Sequence, residues 1–337
     1  MDEQTDQPVE NVPIVRLSGM SPTPTLFLPH QQWALTNPTP NPEARHPEMW
    51  DHIPGLPTDL KGKVTITLSP VLGVGGNAVV YEGQLNFNGV SHAVAVKVAF
   101  IKRDVNGSLL KEETARSVAR EMRISRALQH PNIIHYYGMC YDPVALQLFS
   151  TIPALVFAHC SGKGAMKYLS NNPSTKRLPL VTGVVDGLAY MHEFGIIHGD
   201  LNPRNVLIKI DESGIRAVLN DFGSSAIVSE DTTWLGDDID YSAPEIKTKQ
   251  SQITTMSDIY SLALTILAIV SDKPAFDGDY VKVCEMRNQG VRPDRADHQA
   301  PEMDDSMWEC IVACWAHQPE ARWSASQVVS FLSQTQA

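Results

Sequence analysis

The chain has 337 residues, a formal net charge of −11 and 43% hydrophobic residues, which is enough for one large domain or two ordinary ones. The acidic balance, with a sequence pI near 5.4, argues against nucleic acid or an anionic membrane as the main partner. The first ten residues are polar and acidic and show no signal peptide, and the longest apolar stretch, 262–270, is about half a membrane span.

The cysteines give no sign of a disulfide framework or a structural metal. The chain has five cysteines, an odd number, and beside Cys310 and Cys314 no second pair of cysteines or histidines has the spacing of a zinc site. The other three are Cys140, Cys160 and Cys284. We therefore expect reduced thiols and an intracellular, cytoplasmic protein, with the nucleus as an alternative location.

Residues 1–60 differ in composition from the rest of the chain. They hold 11 of the 23 prolines and eight acidic residues against two basic ones. Such a segment cannot bury enough apolar surface to offset its ordering entropy. We therefore predict a disordered leader over 1–60, which could dock partner proteins, and a folded domain over 61–335.

The first part of the domain has the signals of a β-sheet with one helix. Stretches 63–68, 79–87 and 92–100 are rich in Val, Ile, Thr and aromatic residues, and Asn88-Gly89 predicts a hairpin between the last two. A helix is predicted over 110–128, ending before His130-Pro131, because the residue before proline avoids helical geometry. Strands are predicted at 133–140 and 154–158.

Beyond residue 165 the pattern becomes mainly helical. Helices are predicted over 181–193, 256–270, 280–288, 306–316 and 324–333. Strands first and helices later predict an α+β fold in two lobes, a sheet-containing N-lobe over about 61–157 and a helical C-lobe over about 161–335.

A glycine-rich stretch, Gly73-Val-Gly75-Gly-Asn-Ala78-Val-Val80, lies between two predicted strands. Glycines there would let backbone N–H groups approach phosphate oxygens closely, although a plain hairpin turn explains the pattern equally well. Because a strand and not a helix follows, the stretch does not fit a dinucleotide-binding fingerprint, which needs a helix N-terminus for the pyrophosphate.

A single lysine interrupts the apolar strand Val94-Ala95-Val96-Lys97. It is either an edge lysine whose ammonium reaches solvent or a cation that holds ATP phosphates. In the second interpretation Glu121, on the following predicted helix, is the carboxylate that holds it in place; otherwise Glu121 is one more solvated helix charge.

The strongest pattern is His198-Gly199-Asp200-Leu201-Asn202-Pro203-Arg204-Asn205, followed by Asp221-Phe222-Gly223. Phosphoryl transfer needs a base for the acceptor hydroxyl together with an amide and a carboxylate that hold Mg²⁺. Asp200, Asn205 and Asp221 supply these groups in that order.

From about residue 64 to 332 the chain resembles a eukaryotic protein kinase domain, most closely the tyrosine-kinase-like and tyrosine kinase groups. The further marks are Ala243-Pro244-Glu245, Asp258-Ile-Tyr-Ser and Cys314-Trp315 followed by Arg322. The resemblance implies Asp200 as the catalytic aspartate, Lys97 as the strand lysine and Glu121 as the helix carboxylate that pairs with it. It also implies an ion bridge between Glu245 and Arg322.

The resemblance also implies ATP, Mg²⁺ and a protein substrate. Asn205 and Asp221 are then the metal ligands. Phe157 is the gatekeeper, and backbone groups of Ala158 and Cys160 hold adenine. The full set of implied nucleotide-binding residues is Leu72, Gly73, Gly75, Val80, Ala95, Lys97, Phe157, Ala158, Cys160 and Leu207.

Several positions depart from the kinase pattern. Gly199 replaces the arginine of H-R-D, Ser125 replaces an apolar residue four positions after Glu121, and Asp238 replaces a threonine of the activation segment, 221–245. Asn202 stands where serine/threonine kinases have lysine, whereas Arg204 matches an arginine of tyrosine kinases. We therefore predict that Arg204 stabilises charge near the γ-phosphate; a solvated loop arginine is the alternative.

The expected function is phosphate transfer from ATP to a protein hydroxyl, with serine or threonine favoured because Tyr241 stands where tyrosine kinases have tryptophan. Two alternatives remain open. One is a catalytically weak pseudokinase that acts as a scaffold. The other is a small-molecule phosphotransferase of the aminoglycoside or choline kinase type, whose H-G-D loop resembles 198–200.

Overall fold

The computed structural model describes residues 56–101, 111–141, 152–230, 232–233, 236, 239–248, 250–276 and 280–335. The strands are β1 Val64–Val74, β2 Ala78–Phe87, β3 Val90–Ala99, β4 Tyr136–Cys140, β5 Ala154–Ala158, β6 Lys163–Gly164, β7 Ile196–Ile197, β8 Val206–Asp211, β9 Gly214–Leu219 and β10 Ala226–Ile227. The helices are α1 Lys111–Ala127, α2 Ala165–Asn171, α3 Leu178–Glu193, α4 Thr255–Ser271, α5 Tyr280–Asn288, α6 Asp305–Cys314 and α7 Ala325–Thr335.

The N-lobe is an antiparallel sheet in the order β1-β2-β3-β5-β4, with helix α1 beside it. The predicted turn joins β2 to β3, where Asn88 and Gly89 both have positive φ, of 49° and 79°. Two left-handed residues match the right-handed twist of the flanking strands, as a two-residue hairpin requires. The prediction of an antiparallel hairpin at this point is confirmed.

Strand β3 separates the core of the N-lobe from the face that carries the site. Val94 and Val96 are fully buried in the apolar cluster of the lobe, whereas Ala95 and Lys97 are only partly buried. Because successive side chains in a strand point to opposite faces, Ala95 and Lys97 share the face away from that cluster. The sequence pattern V-A-V-K therefore places the lysine on the site face.

The packed chain begins slightly earlier than the predicted boundary at residue 61. Leu60 is fully buried in the N-lobe cluster, its N–H donates to the Met139 carbonyl at 2.8 Å, and Met139 N–H donates to Thr58 O at 2.9 Å. These bonds pair residues 58–60 with the edge strand β4, so the last residues assigned to the leader are part of the sheet. Most of the leader, 1–55, lies outside the described residues.

The C-lobe is built around helix α4. Most of this helix is buried, and its start is fixed by a capping box in which Thr254 accepts a hydrogen bond from Ser257 N–H and Ser257 accepts one from Thr254 N–H. Helix α3 packs on α4 and on α7, and strand β9 of the antiparallel β8–β9 hairpin packs against α3. Among the described residues, no helix is long and apolar enough to cross a membrane.

The predicted two-lobed α+β fold is confirmed, with differences at the ends of elements. Predicted strand 133–140 begins only at Tyr136, and helix α3 starts at Leu178 because Pro179 is favoured in a first helical turn. Helix α2 and the β8–β9 hairpin were not predicted. Both are short elements that depend on packing against the lobe and carry a weak local signal.

Candidate active site

Lys97 lies between two carboxylates contributed by distant parts of the chain. Its Nζ is 2.7 Å from Glu121 Oε1 on α1 and 2.7 Å from Asp221 Oδ1 after β9. The Glu121 side chain is only 7% exposed, whereas that of Asp221 is 42% exposed. The structure thus brings together three of the residues that the sequence singled out, with Asp221 facing the open side.

The charges in this cluster stabilise one another. Burial by itself lowers the pKa of Lys97, but the Glu121 and Asp221 carboxylates raise it above its ordinary value. Burial raises the pKa of Glu121, and the Lys97 ammonium opposes this effect. Burial also acts to raise the pKa of Asp221, but the same ammonium lowers it overall, so lysine and Asp221 are both charged at neutral pH.

Asp200 and Asn205 face each other across the turn of the catalytic loop. Asn205 Nδ2 donates to Asp200 O at 2.8 Å and to Asp200 Oδ2 at 3.1 Å. The loop closes through Asn202, whose Nδ2 donates to Asp200 O and whose Oδ1 accepts from Arg204 N–H. Of these side chains, Arg204 is the exposed one.

Asn202 has a structural role that the sequence did not reveal. It is 1% exposed and caps the short 3₁₀ turn Pro203–Asn205. The position is therefore part of the fold of the loop, and a lysine there would lose both hydrogen bonds.

Asp258, in the first turn of α4, was named in the sequence only as part of the Asp258-Ile-Tyr-Ser mark, and its structural role was not predicted. Its carboxylate accepts hydrogen bonds from His198 N–H at 2.7 Å and Gly199 N–H at 2.9 Å, and lies 2.9 Å from His192 Nε2. It is 2% exposed, so these donors replace the water that a buried carboxylate needs. The available signal was an aspartate at the start of a strongly apolar helix.

Gly199 occupies a position where the fold requires glycine. Its φ is 77°, in the left-handed region, and an added Cβ would lie 2.5 Å from Ser224 O and 2.7 Å from Ile253 Cδ1. Where the H-R-D pattern has arginine, this chain has glycine, and at this point the activation segment approaches the catalytic loop too closely to leave room for a side chain.

We expect Gly199→Ala to lower the free energy of unfolding by about 2–4 kcal/mol, because left-handed strain and a backbone clash add. Gly195→Ala is the matched control, since Gly195 has φ of 65° with no atom within 4 Å of an added Cβ, and should lose only about 1–2 kcal/mol. Urea denaturation of both variants measures the difference. Equal losses would show that the close contact with Ser224 carries no cost.

Four of the residues implied to line the nucleotide site lie on one face of the N-lobe sheet. Val80 pairs with Lys97, and Ala95 pairs with Phe157, so these four side chains share one face of the sheet. Leu207 lies on β8, in the C-lobe, and Leu72 lies near the end of β1.

The glycine loop joins β1 to β2 and leaves space beside its backbone. An added Cβ at Gly73 would meet no atom within 4 Å, and one at Gly75 would meet only Ala78 O, at 3.9 Å. The backbone at these two positions is therefore open on the side where a Cβ would lie, and the packing of the described residues does not require glycine there.

The last residue of β5 and the buried Cys160 after it both form backbone hydrogen bonds within the protein. Ala158 N–H donates to His135 O at 2.9 Å, so this N–H is not available to adenine, and Cys160 O accepts from Lys163 N–H. Of the backbone groups of Ala158 predicted to bind adenine, the carbonyl is therefore the one to test.

The donor groups suit Mg²⁺, which prefers oxygen ligands. Both Asn205 Nδ2 hydrogens are directed to Asp200, which leaves Oδ1 as the amide atom for a cation. Asp221 adds a partly exposed carboxylate whose Oδ1 is bonded to Lys97 and to Gly223 N–H, so Oδ2 is the oxygen open to a metal.

Two buried hydroxyls lie behind the site. Neither Ser125 Oγ nor Tyr136 Oη has a hydrogen-bond partner among the described residues. The Tyr136 ring lies 5.5 Å from the Phe157 ring, and burial raises the pKa of its hydroxyl. Besides Ser125, which the sequence singled out, Tyr136 is thus a second buried residue whose hydroxyl lacks a partner among the described residues, and its ring lies next to Phe157.

The predicted bridge between Glu245 and Arg322 is present. Arg322 Nη1 and Nη2 lie 2.7 and 2.8 Å from the two carboxylate oxygens, and the Arg322 side chain is fully buried. Nearby, the buried Arg287 donates to the carbonyls of Ile239 and Ile246, which fixes the end of the activation segment from α5. Asp238 lies outside the described residues.

The comparisons with known proteins agree with this geometry. The family model described as "Protein kinase domain" matches residues 66–331. A dual specificity testis-specific protein kinase 2 from Rattus norvegicus is 27% identical over 63% of this chain and 37% of its own length. A probable serine/threonine-protein kinase of Streptomyces coelicolor is 25% identical over 77% of this chain and 38% of its own.

A third relative, a serine/threonine-protein kinase of Myxococcus xanthus, is 29% identical over 68% of this chain and 27% of its own length. The matched region therefore spans well under half of each of these relatives.

Proposed function

The chain belongs to the protein kinase family, and on that basis we propose that it transfers the γ-phosphate of ATP to serine or threonine hydroxyls of a protein substrate. The observation that carries the proposal is the joint placement of Lys97, between Glu121 and Asp221, and Asp200, beside Asn205. An ammonium, a base and two oxygen ligands for a metal are the groups that phosphoryl transfer requires.

In the proposed reaction the chain mainly positions and neutralises charge. Bound Mg²⁺ would offset negative charge on the phosphates. Lys97 would hold the phosphates while Glu121 keeps its ammonium in place. Asp200 would orient the acceptor hydroxyl and take its proton, and the Asn205 amide would fix the direction of the Asp200 carboxylate.

Preference for serine and threonine is supported by two observations. Relatives from two bacteria are named as serine/threonine-protein kinases, and Tyr241 lies in the 3₁₀ turn Ile239–Tyr241, at the end of the activation segment, where tyrosine kinases have tryptophan. One relative is named as a dual specificity kinase, so tyrosine transfer is the outcome to test against.

The decisive experiment measures nucleotide binding with and without Mg²⁺, together with ³²P transfer to a generic protein and phosphoamino-acid analysis of the product. Phosphoserine and phosphothreonine are expected. Nucleotide binding without transfer would instead indicate a scaffold, and transfer only to small alcohols would indicate a small-molecule phosphotransferase. Phosphotyrosine alone would contradict the proposed specificity.

We also propose that Arg204 stabilises the transferring phosphate. Arg204→Ala should lower kcat at least about tenfold, or about 1.4 kcal/mol in the barrier, with little change in ATP affinity, because the interaction forms mainly in the transition state. Steady-state kinetics with ATP and peptide substrate varied separately measure both quantities.

The control for Arg204 keeps the charge and leaves the loop intact. Arg204→Lys should retain part of kcat, since a lysine offers charge without the planar fork of arginine. Adding a lysine at Asn202 is unsuitable, because that side chain closes the loop. Unchanged kcat in Arg204→Ala would support a solvated loop arginine.

A further inference from the structure

Helix α1 is tied to the activation segment by an ion pair that no sequence pattern indicated. Arg123 Nη1 lies 2.6 Å from Glu230 Oε1, and Nη2 contacts Oε2, so the pair is bidentate. The two residues are 107 positions apart in the chain. Fork-to-carboxylate contacts of this kind fix direction as well as distance.

The position of Arg123 on α1 links this contact to the active site. It lies two residues after Glu121, and residues two apart on a helix point to different sides. Glu121 reaches Lys97 on the sheet, while Arg123 reaches the activation segment. The helix is therefore held from two sides by two separate ion pairs.

Glu230 is itself attached close to the catalytic loop. Its N–H donates to Ile227 O at 2.9 Å, and Ile227 pairs with Ile196 in the β7–β10 ribbon. Strand β7 ends at Ile197, directly before His198-Gly199-Asp200. The Arg123–Glu230 contact thus joins α1 to the strand that leads into the catalytic aspartate.

The buried face of α1 is partly polar, so contacts on its other side contribute to holding the helix in place. Part of the buried face of the helix is polar, comprising Thr114, Glu121 and Ser125, and the Ser125 hydroxyl has no hydrogen-bond partner among the described residues. A buried unpaired hydroxyl costs stability. The helix is therefore less firmly fixed by its core face than a fully apolar one would be.

We propose that Arg123 and Glu230 form a positioning pair for phosphate transfer: they hold α1 where Glu121 reaches Lys97, and they couple that contact to the catalytic loop. The proposal rests on the proposed kinase function. Because Glu230 carries its charge without any modification, the link is present in the unmodified chain.

Charge reversal tests the proposal in the full-length protein. Arg123→Glu and Glu230→Arg should each lower kcat/KM for a peptide substrate about five- to tenfold, an effect of the size that a well-formed bidentate surface pair can supply. The double variant Arg123→Glu/Glu230→Arg should recover about half of the loss or more. Coupling of this sign shows that the two residues act through each other.

The matched control is Arg116→Glu, which makes the same charge change on the exposed side of the same helix and should leave kcat/KM unchanged. Single reversals that behave like this control, or a double variant that recovers nothing, would overturn the proposal. Either result in an active wild-type enzyme leaves the proposed function itself intact.

Hydrogen exchange of the α1 backbone amides gives a readout that does not depend on activity. Exchange should be faster in each single variant and return toward wild type in the double variant. If the wild-type protein transfers no phosphate, the kinase proposal fails, and unchanged exchange in the single variants would then separately overturn the positioning role.

Discussion

Asp200→Asn should lower kcat by about two to four orders of magnitude and leave ATP affinity nearly unchanged, because the amide cannot accept the proton of the acceptor hydroxyl. The loop should keep its shape in this variant. Asn205 Nδ2 and Asn202 Nδ2 both donate to the Asp200 backbone carbonyl, which the substitution does not alter. Single-turnover phosphate transfer and a nucleotide titration measure the two effects separately.

The informative control is Asp221→Asn. Asp221 carries the carboxylate that pairs with Lys97 and is placed to hold Mg²⁺, so its loss should weaken Mg·ATP binding as well as turnover. An Asp200→Asn enzyme with near-wild-type phosphate transfer would show that a different residue acts as the base.

A large loss of stability is expected for Arg322→Ala, about 3 kcal/mol, because the variant removes a fully buried guanidinium from the 29% exposed Glu245 carboxylate. Arg322 has a fully buried side chain that donates to both Glu245 oxygens and to the carbonyls of Ala316 and Met256. Those carbonyls would lose their donor too. Equilibrium denaturation by urea measures the change.

Arg292→Ala is the matched control for Arg322→Ala. Both guanidinium groups lie over the Tyr260 ring, at 5.0 Å for Arg292 and 5.2 Å for Arg322, but within the described part of the chain Arg292 forms no ion pair with a carboxylate. Arg292→Ala should lose about 1–2 kcal/mol, the scale of one cation–π contact and two hydrogen bonds to the carbonyls of Trp315 and Val291. Equal losses in the two variants would show that the Glu245 bridge adds nothing.

The sequence predicts catalytic and metal-binding residues because their types and order are local in the chain. Asp200 and Asn205 lie within one loop, and Asp221 begins the next motif. Similarly, the Asn88-Gly89 turn and the alternation in β3 follow from backbone sterics that act over a few residues. The Glu121–Lys97 pair was one of two interpretations of the sequence pattern, and the Glu245–Arg322 pair was anticipated only through the family resemblance.

Other features could not be deduced from local patterns. Glycine is needed at position 199 because Ser224 O lies where a Cβ would be. Asn202 is buried because the catalytic loop closes through its hydrogen bonds. Asp258 has its role because it accepts hydrogen bonds from two N–H groups 59 and 60 residues earlier in the chain. For Gly199 and Asp258 the sequence shows the residue type, but the partner lies in another element. For Asn202 the partners are two residues away, and only the closed shape of the loop brings them within hydrogen-bond distance. An isolated polar residue looks the same whether it faces water or a buried donor.

Short stretches of this sequence are sufficient to specify most of the elements, the two-lobed class and the identity of the chemical groups, since periodicity, turn residues and motif order are local properties. Which charges meet is settled by the tertiary fold instead. Lys97 joins Asp221 across 124 residues, and Arg123 joins Glu230 across 107. The physical reason is that such contacts are set by how whole elements pack, and packing depends on the summed burial of many side chains rather than on any local signal.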